Sequence, residues 1–419
     1  MHALEKIIAR ASGTEKLTTG EIVNVEVDLV EINDLYLQVI KSFEKMKGEK
    51  VWDPEKVSFV FDHYSPSPTI KAADNHKKMR NFCQQQNIKK LFDINSGVCH
   101  QVLPETGLVY PGMVLIATDS HTTTHGAFGA FGTGVGATDL ATILLTGEIW
   151  IKVPEIIKIK IKGNLNSGVM AKDIILKILG KLGQDAAVYK AIEFQGSVVE
   201  QMPVAERMVL CNMAVEMGAQ TAYIQPDSKT LAFLEGRVEK DFDIPETDTD
   251  FSYQEVYNFD ISNLKPVAAV PDSIDNVWEI NTLNEPVKID QVFIGTCTGG
   301  RLNDIKTAAF ILGGKNIEKN VRLIIIPASR EVYRKAIEKG YIQTLINSGA
   351  TISNPGCGPC LGAHQGVLAP EEVCLTTSSR NFSGRMGSTE ADIYSVSPAT
   401  AAISALRGYL DSGRDDFSV

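Results

Sequence analysis

The chain has 419 residues, 44% of them hydrophobic and 22% charged, with a formal net charge of −10. That length exceeds one ordinary core and predicts two or three globular domains. The acid excess argues against nucleic acid as a partner, and the absence of any run of about 18 apolar residues argues against a membrane span. Seven cysteines are too few for a disulfide-stapled secreted fold, and the N-terminus has no secretory h-region, so the expected location is the cytoplasm.

In chain order, the N-terminus reads as a short helix. Strand-like runs then alternate with helical patterns, the signature of an α/β fold with largely parallel sheets. Strands are predicted over 56–61, 90–94, 112–117, 156–163, 290–296, 321–327, 350–353 and 372–377. The run at 156–163 (IIKIKIKG) alternates strictly, which predicts one face in water. Residues 205–219 read as an apolar helix closed by Gly218, with Asn212 and Glu216 paired on one face. The polar stretch 239–260 reads as a linker, and 397–413 as a closing helix. These features divide the chain into α/β domains over 1–150, 151–265 and 266–419.

Ligands of open α/β sheets bind beyond the carboxyl ends of the strands. Asp62 and His63 follow the first predicted strand, His100 the second, and Asp119, Ser120 and His121 the third. Cys297 follows 290–296, Cys357 and Cys360 follow 350–353, and Arg380 and Arg385 follow 372–377. One such residue is an ordinary loop or core side chain. Their shared location describes a site assembled from several strand ends, with metal ligands, titratable groups and anion holders.

Cys357-Gly-Pro-Cys360 has two readings, a dithiol that starts a helix or a pair of metal thiolates. Its position deep in a long chain and the third cysteine in IGTCTGGR favour metal. A closed zinc site needs four ligands, which leaves Cys3His with His364 as one option. Three thiolates without a fourth match a [4Fe–4S] cluster with one iron open to substrate. Cys83, Cys211 and Cys374 read as structural, and Cys99 is notable only for its neighbour His100.

The motifs IGTCTGGR, NPGCGPCLG, ATDSHTTTHGAFGAFGTGVGATD and SSRNFSGRMGS, in this order, resemble the aconitase superfamily. The likeness is closer to the large subunits of the 3-isopropylmalate dehydratase and archaeal homoaconitase type, and it runs nearly the whole chain. It implies three α/β domains around one [4Fe–4S] cluster per subunit, held by Cys297, Cys357 and Cys360, with a labile fourth iron. It also implies a separate small subunit that supplies a swivelling domain and a serine base, in a heterodimer or heterotetramer. The implied reaction dehydrates and rehydrates a hydroxy acid, first of all 2-isopropylmalate to 3-isopropylmalate in leucine biosynthesis.

In that reading His63, with Asp62 beside it, is the general acid for the departing hydroxide. His100 and His121 hold the hydroxyl or water, Asp119 orients His100, and Glu216 pairs with His121. Arg380 and Arg385 bind substrate carboxylate, and Ser120 lines the same pocket. The glycine-rich run 126–139 reads as tight backbone packing, since it lacks the dinucleotide fingerprint. Two places depart from the family pattern. Gly299 stands where Asn is usual, and in VDLVEINDLYLQ only Asp34 of a His-Asp-x-Thr-x-Pro pattern clearly survives. Both leave a homoaconitase or a dimethylmalate dehydratase open as alternatives, and a dithiol oxidoreductase stands as the alternative of another class.

Overall fold

In the computed structural model, residues 1–283 and 285–413 are described. The first large sheet is fully parallel, in the order Lys90–Phe92, Val57–Val60, Leu29–Asn33, Val114–Ala117, Phe131–Gly134. The second is also parallel, in the order Thr221–Tyr223, Ala191–Gln195, Ile156–Lys162, Glu255–Asp260. The third has seven strands, of which Arg322–Ile325, Gln291–Ile294, Val373–Thr376 and Asp392–Ser395 lie parallel, with Thr351–Ile352 at one edge. An antiparallel pair, Val267–Ala269 and Val277–Glu279, closes the other edge. The α/β fold expected from the alternating pattern is the fold observed.

Each predicted strand is present, most of them trimmed at the ends. In Ile156–Lys162 the isoleucines at 157, 159 and 161 are buried, while Lys160 and Lys162 face outward. Two strands of the first sheet escaped the sequence pattern. Leu29–Asn33 is fully buried although Glu31 and Asn33 interrupt its apolar run. Phe131–Gly134 lies inside the glycine-rich run, where it packs tightly: a Cβ at Gly132 would stand 2.4 Å from Thr122 O, and one at Gly134 2.4 Å from Asp119 O.

Three expectations need correction. Residues 255–260 are not linker but an edge strand, paired in register with Ile157–Lys162. The closing helix is shorter than 397–413: it spans Pro398–Arg407 and stops at Gly408, whose left-handed φ of 78° ends the ladder. The helix carrying Glu216 runs only over Val204–Met213 and tightens into a 3₁₀ turn at Ala214–Met217. The tightening rotates Glu216 out of the i, i+4 relation to Asn212, which donates instead to Thr124 Oγ1 at 2.7 Å.

Apolar side chains fill both faces of the first sheet. One core joins it to the helices Ala3–Ser12, Leu37–Lys45 and Ala137–Thr146. The other is continuous with the second sheet and its helices Ala171–Leu182 and Val204–Met213. Contact between the two sheets is backbone-close at Gly126, where a Cβ would meet Ala222 O at 1.9 Å. Only glycine lets the 3₁₀ turn Ser120–Phe128 dock there, and this turn carries His121 toward Glu216.

Candidate active site

Asp62 and His63 leave the carboxyl end of Val57–Val60, and Asp34 fixes them in place. Its carboxylate accepts from the backbone N–H groups of His63 (3.0 Å) and Tyr64 (2.8 Å) and lies 2.9 Å from His76 Nε2. Burial opposes this charge, but the bonds from His63 and His76 outweigh it and hold Asp34 far below the usual carboxylate range. His63 Nδ1 lies 2.6 Å from Asp62 Oδ1, and Asp62 Oδ2 accepts from Cys99 N at 2.9 Å. Burial also disfavours a charged His63, yet Cys357, Asp62 and Asp34 together hold its pKa well above the ordinary 6.5.

A second network starts at Asp119. Its Oδ1 lies 3.1 Å from His100 Nε2 and 3.3 Å from His121 Nδ1, and it accepts from His121 N at 2.8 Å. These histidines overcome burial and depress the Asp119 pKa. His121 Nε2 then meets Glu216 Oε1 at 2.8 Å and Ser379 Oγ at 2.9 Å. Arg380 Nε donates to Glu216 Oε2 at 3.1 Å, and Arg380 Nη2 donates to Ser120 Oγ at 3.0 Å. Burial raises the Glu216 pKa, but His121 and Arg380 bring it below its ordinary value. One connected chain thus joins His100, Asp119, His121, Glu216, Arg380 and Ser120.

Cys297, Cys357 and Cys360 are buried free thiols on two loops of the third sheet. Before Cys297, Thr296 adopts a left-handed φ of 69°, a costly conformation for a β-branched residue. Threonine bonds hold the loop in place: Thr377 Oγ1 accepts from Gly295 N (3.0 Å), and Thr298 Oγ1 donates to Thr377 O (2.6 Å). This packing also accounts for Gly299, since a Cβ there would lie 2.2 Å from the Thr377 side chain. Cys357 N donates to Asp62 O at 2.8 Å, which ties the thiol loop to the His63 loop. Burial, opposed by His63, pushes the Cys357 thiol up to about 12. Cys360 is also buried, but Arg385 and Ser378 act against burial and lower its pKa. The Arg385 guanidinium lies 5.5 Å from the centre of the Phe382 ring, a cation–π contact.

Among the described residues, only His100–Asp119–His121 and Asp34–Asp62–His63 bring three ligand atoms within 4.8 Å of one another. The three sulfurs are spread more widely than one tetrahedral zinc ion requires, at bonds of about 2.3 Å. His364 joins neither group, and its Nε2 lies 2.8 Å from Pro66 O. A dithiol catalyst fits less well, because Cys357 opens only a 3₁₀ turn, Gly358–Leu361, instead of a helix.

Of the residues predicted from strand ends, Asp62, His63, Asp119, His121, Arg380 and Arg385 face one or another of the three thiols, and hydrogen bonds link His100 and Ser120 to them. Several others belong to the same region: Ser379, Glu31, Lys172 and Arg301 were missed, and Asp34 was noted only as the survivor of a family pattern. Asp34 is the hub of the His63 loop, and Ser379 touches His121. Glu31 is fully buried, and neither carboxyl oxygen has a hydrogen bond. Burial, then Asp62 and Asp119, push its pKa well above 4.5. Lys172 and Arg301 are buried beside Cys297. Adjacency to Arg380 was the available signal for Ser379, whereas a lysine in an amphipathic helix gave none.

Residues 5–408 match the aconitase family (aconitate hydratase). A probable 3-isopropylmalate dehydratase large subunit of Methanothermobacter thermautotrophicus is 48% identical over 97% of both chains. A 3-isopropylmalate dehydratase large subunit of Methanopyrus kandleri is 48% identical over 98% of both. A probable methanogen homoaconitase large subunit of Methanothermobacter thermautotrophicus is 45% identical, covering 99% of this chain and 98% of its own. A match that spans nearly the whole sequence, over a fold that gathers three thiols and the histidine–carboxylate–arginine networks, shows that this chain belongs to the aconitase family.

Proposed function

We propose that the chain is the cluster-bearing large subunit of a hydro-lyase that converts 2-isopropylmalate to 3-isopropylmalate. The observation that carries this reading is the convergence of three buried thiols with His63, His121 and the two arginines. Cys297, Cys357 and Cys360 would hold a [4Fe–4S] cluster, for which three buried soft donors are suited. When bound, such a cluster with one iron lacking a protein ligand supplies Lewis acidity toward a hydroxyl and a carboxylate.

The protein residues do the rest. His63, kept charged by Asp62 and Asp34, gives its Nε2 proton to the departing oxygen. Asp119 orients His100 and His121 toward the same oxygen. Glu216 and Ser120 set the plane of the Arg380 guanidinium, and Arg380 and Arg385 bind substrate carboxylate by paired hydrogen bonds. The chain divides at about 150 and 265 into three α/β units around this site. A separate small subunit would complete the pocket with a swivelling domain and a serine base, in line with relatives named as large subunits. Seven free thiols fit the reducing cytoplasm.

A relative with the homoaconitase name at 45% identity keeps homoaconitase activity as the second reading. The test is an assay of the anaerobically reconstituted chain, alone and with its small subunit, on isopropylmalate and homocitrate. The expected result is turnover of isopropylmalate by the pair only. A fully loaded pair that turns over neither acid contradicts the reading.

A further inference from the structure

Two cations lie deep in the protein without a carboxylate partner. Lys172, in the helix Ala171–Leu182, is 1% exposed, and its Nζ donates to two backbone carbonyls, Thr377 O (3.1 Å) and Ser378 O (2.7 Å). The neighbouring Asp173 faces away, since its carboxylate accepts from Met170 N and Val267 N. Arg301 is 2% exposed; its Nε donates to Gln101 Oε1 at 3.0 Å, while Nη1 and Nη2 are buried with no partner. Asp304 gives Arg301 no side-chain pair, because its Oδ2 accepts Arg301's backbone N–H. Among the described residues, neither cation forms an ion pair.

Burying an unpaired charge is strongly unfavourable, because the group loses its water and gains no counter-charge. Lys172 shares the Thr377 carbonyl with Thr298 Oγ1, next to Cys297 in the chain, and Arg301 follows in the same loop, so both cations flank the Cys297 loop and imply negative charge there. The negative groups facing Arg301 are Asp304, Cys297 and Glu105, and those facing Lys172 are Cys297, Cys360, Glu216 and Asp173, so Cys297 is the group the two cations share. As neutral thiols Cys297 and Cys360 offer nothing to offset an ammonium and a guanidinium. As thiolates on an iron–sulfur group they supply a net negative charge of the required sign, in a low-dielectric site where it acts strongly.

We propose that Lys172 and Arg301 are fixed counter-charges for the anionic cluster carried on Cys297, Cys357 and Cys360, an inference that rests on the cluster reading above. They are positioning residues and touch no reacting atom. Their charge stabilises the loaded protein, favours the reduced over the oxidised cluster, and penalises the empty one. Lys172 adds a second effect, since the carbonyls it holds precede Ser379 and Arg380.

The test compares wild type, Lys172→Met, Lys172→Arg and Arg301→Met as full chains, reconstituted anaerobically and then stripped with a chelator. Iron and sulfide content, the cluster's midpoint potential and the thermal midpoints of both forms are measured. Each Met variant should have a lower midpoint potential than wild type and faster iron loss, and Lys172→Arg should restore the wild-type potential. Stripped Lys172→Met should be at least as heat-stable as stripped wild type, while its loaded form is less stable. A Met variant whose stripped chain has the wild-type circular dichroism but takes up no cluster also supports the proposal. Unchanged potentials in loaded variants, or equal loss of stability in both forms, overturn it and leave a packing role. Wild type that takes up no iron and sulfide overturns the cluster reading itself.

Discussion

Glu216 shows how one carboxylate can hold a site together. It is buried, and it meets His121 and Arg380 from opposite loops. Glu216→Gln should lower stability at neutral pH by about 2–4 kcal/mol, below the full loss of a buried partner. Because its folded pKa is depressed, its contribution is present above the unfolded value near 4.5 and lost as pH falls through the folded value. Denaturation at a series of pH values should therefore give a shallower acid slope for the variant; an unchanged slope would contradict the network. Gly299 gives a second residue-scale prediction. Gly299→Asn should destabilise by about 1–3 kcal/mol through overpacking against Thr377, and Thr377→Gly in the same chain should recover part of that loss. Additive effects in denaturant melts would refute this account of the departure. The histidines and arginines of the site were legible in the sequence because several of them follow strands together and match family motifs, although any one alone is an ordinary loop residue. Glu31, Lys172 and Arg301 were not, because a charged side chain looks solvated until three-dimensional packing removes its water.

Asp34 acts at the scale of elements. It ends Leu29–Asn33 and caps two amides of the loop that follows the adjacent strand Val57–Val60. Asp34→Ala should speed amide exchange at His63 and Tyr64 by more than about tenfold, as expected for loss of well over 1 kcal/mol of local protection. Exchange at the strand Val114–Ala117 should be unaffected, and equal acceleration in both places would mean global unfolding instead. The strand ends beside this loop also show where sequence reading stops. Apolar runs bounded by turn residues gave the neighbouring strands, whereas Leu29–Asn33 carries two polar side chains that burial alone accounts for. Likewise, a helical period continues through Met217, but the backbone tightens after Met213 to bring Glu216 to His121. Such changes depend on a partner distant in the chain.

At the scale of the whole molecule, the site joins loops from every large sheet. His63 and Asp119 come from the first, Glu216 from the stretch before Thr221–Tyr223, and the thiols and arginines from the third. Backbone bonds such as Cys357 N to Asp62 O couple these loops directly. Loading the thiols should thus raise the thermal midpoint of the entire chain, since a group that binds only the folded state stabilises it by mass action. The most direct test of the central claim is iron and sulfide analysis, with visible and Mössbauer spectra, of the anaerobically reconstituted chain and its Cys297→Ala, Cys357→Ala and Cys360→Ala variants. Wild type should carry a [4Fe–4S] cluster, with one iron removed selectively by mild oxidation, and each variant should lose it. A colourless protein holding a single zinc ion, or a cluster that survives replacement of Cys297, would contradict that claim.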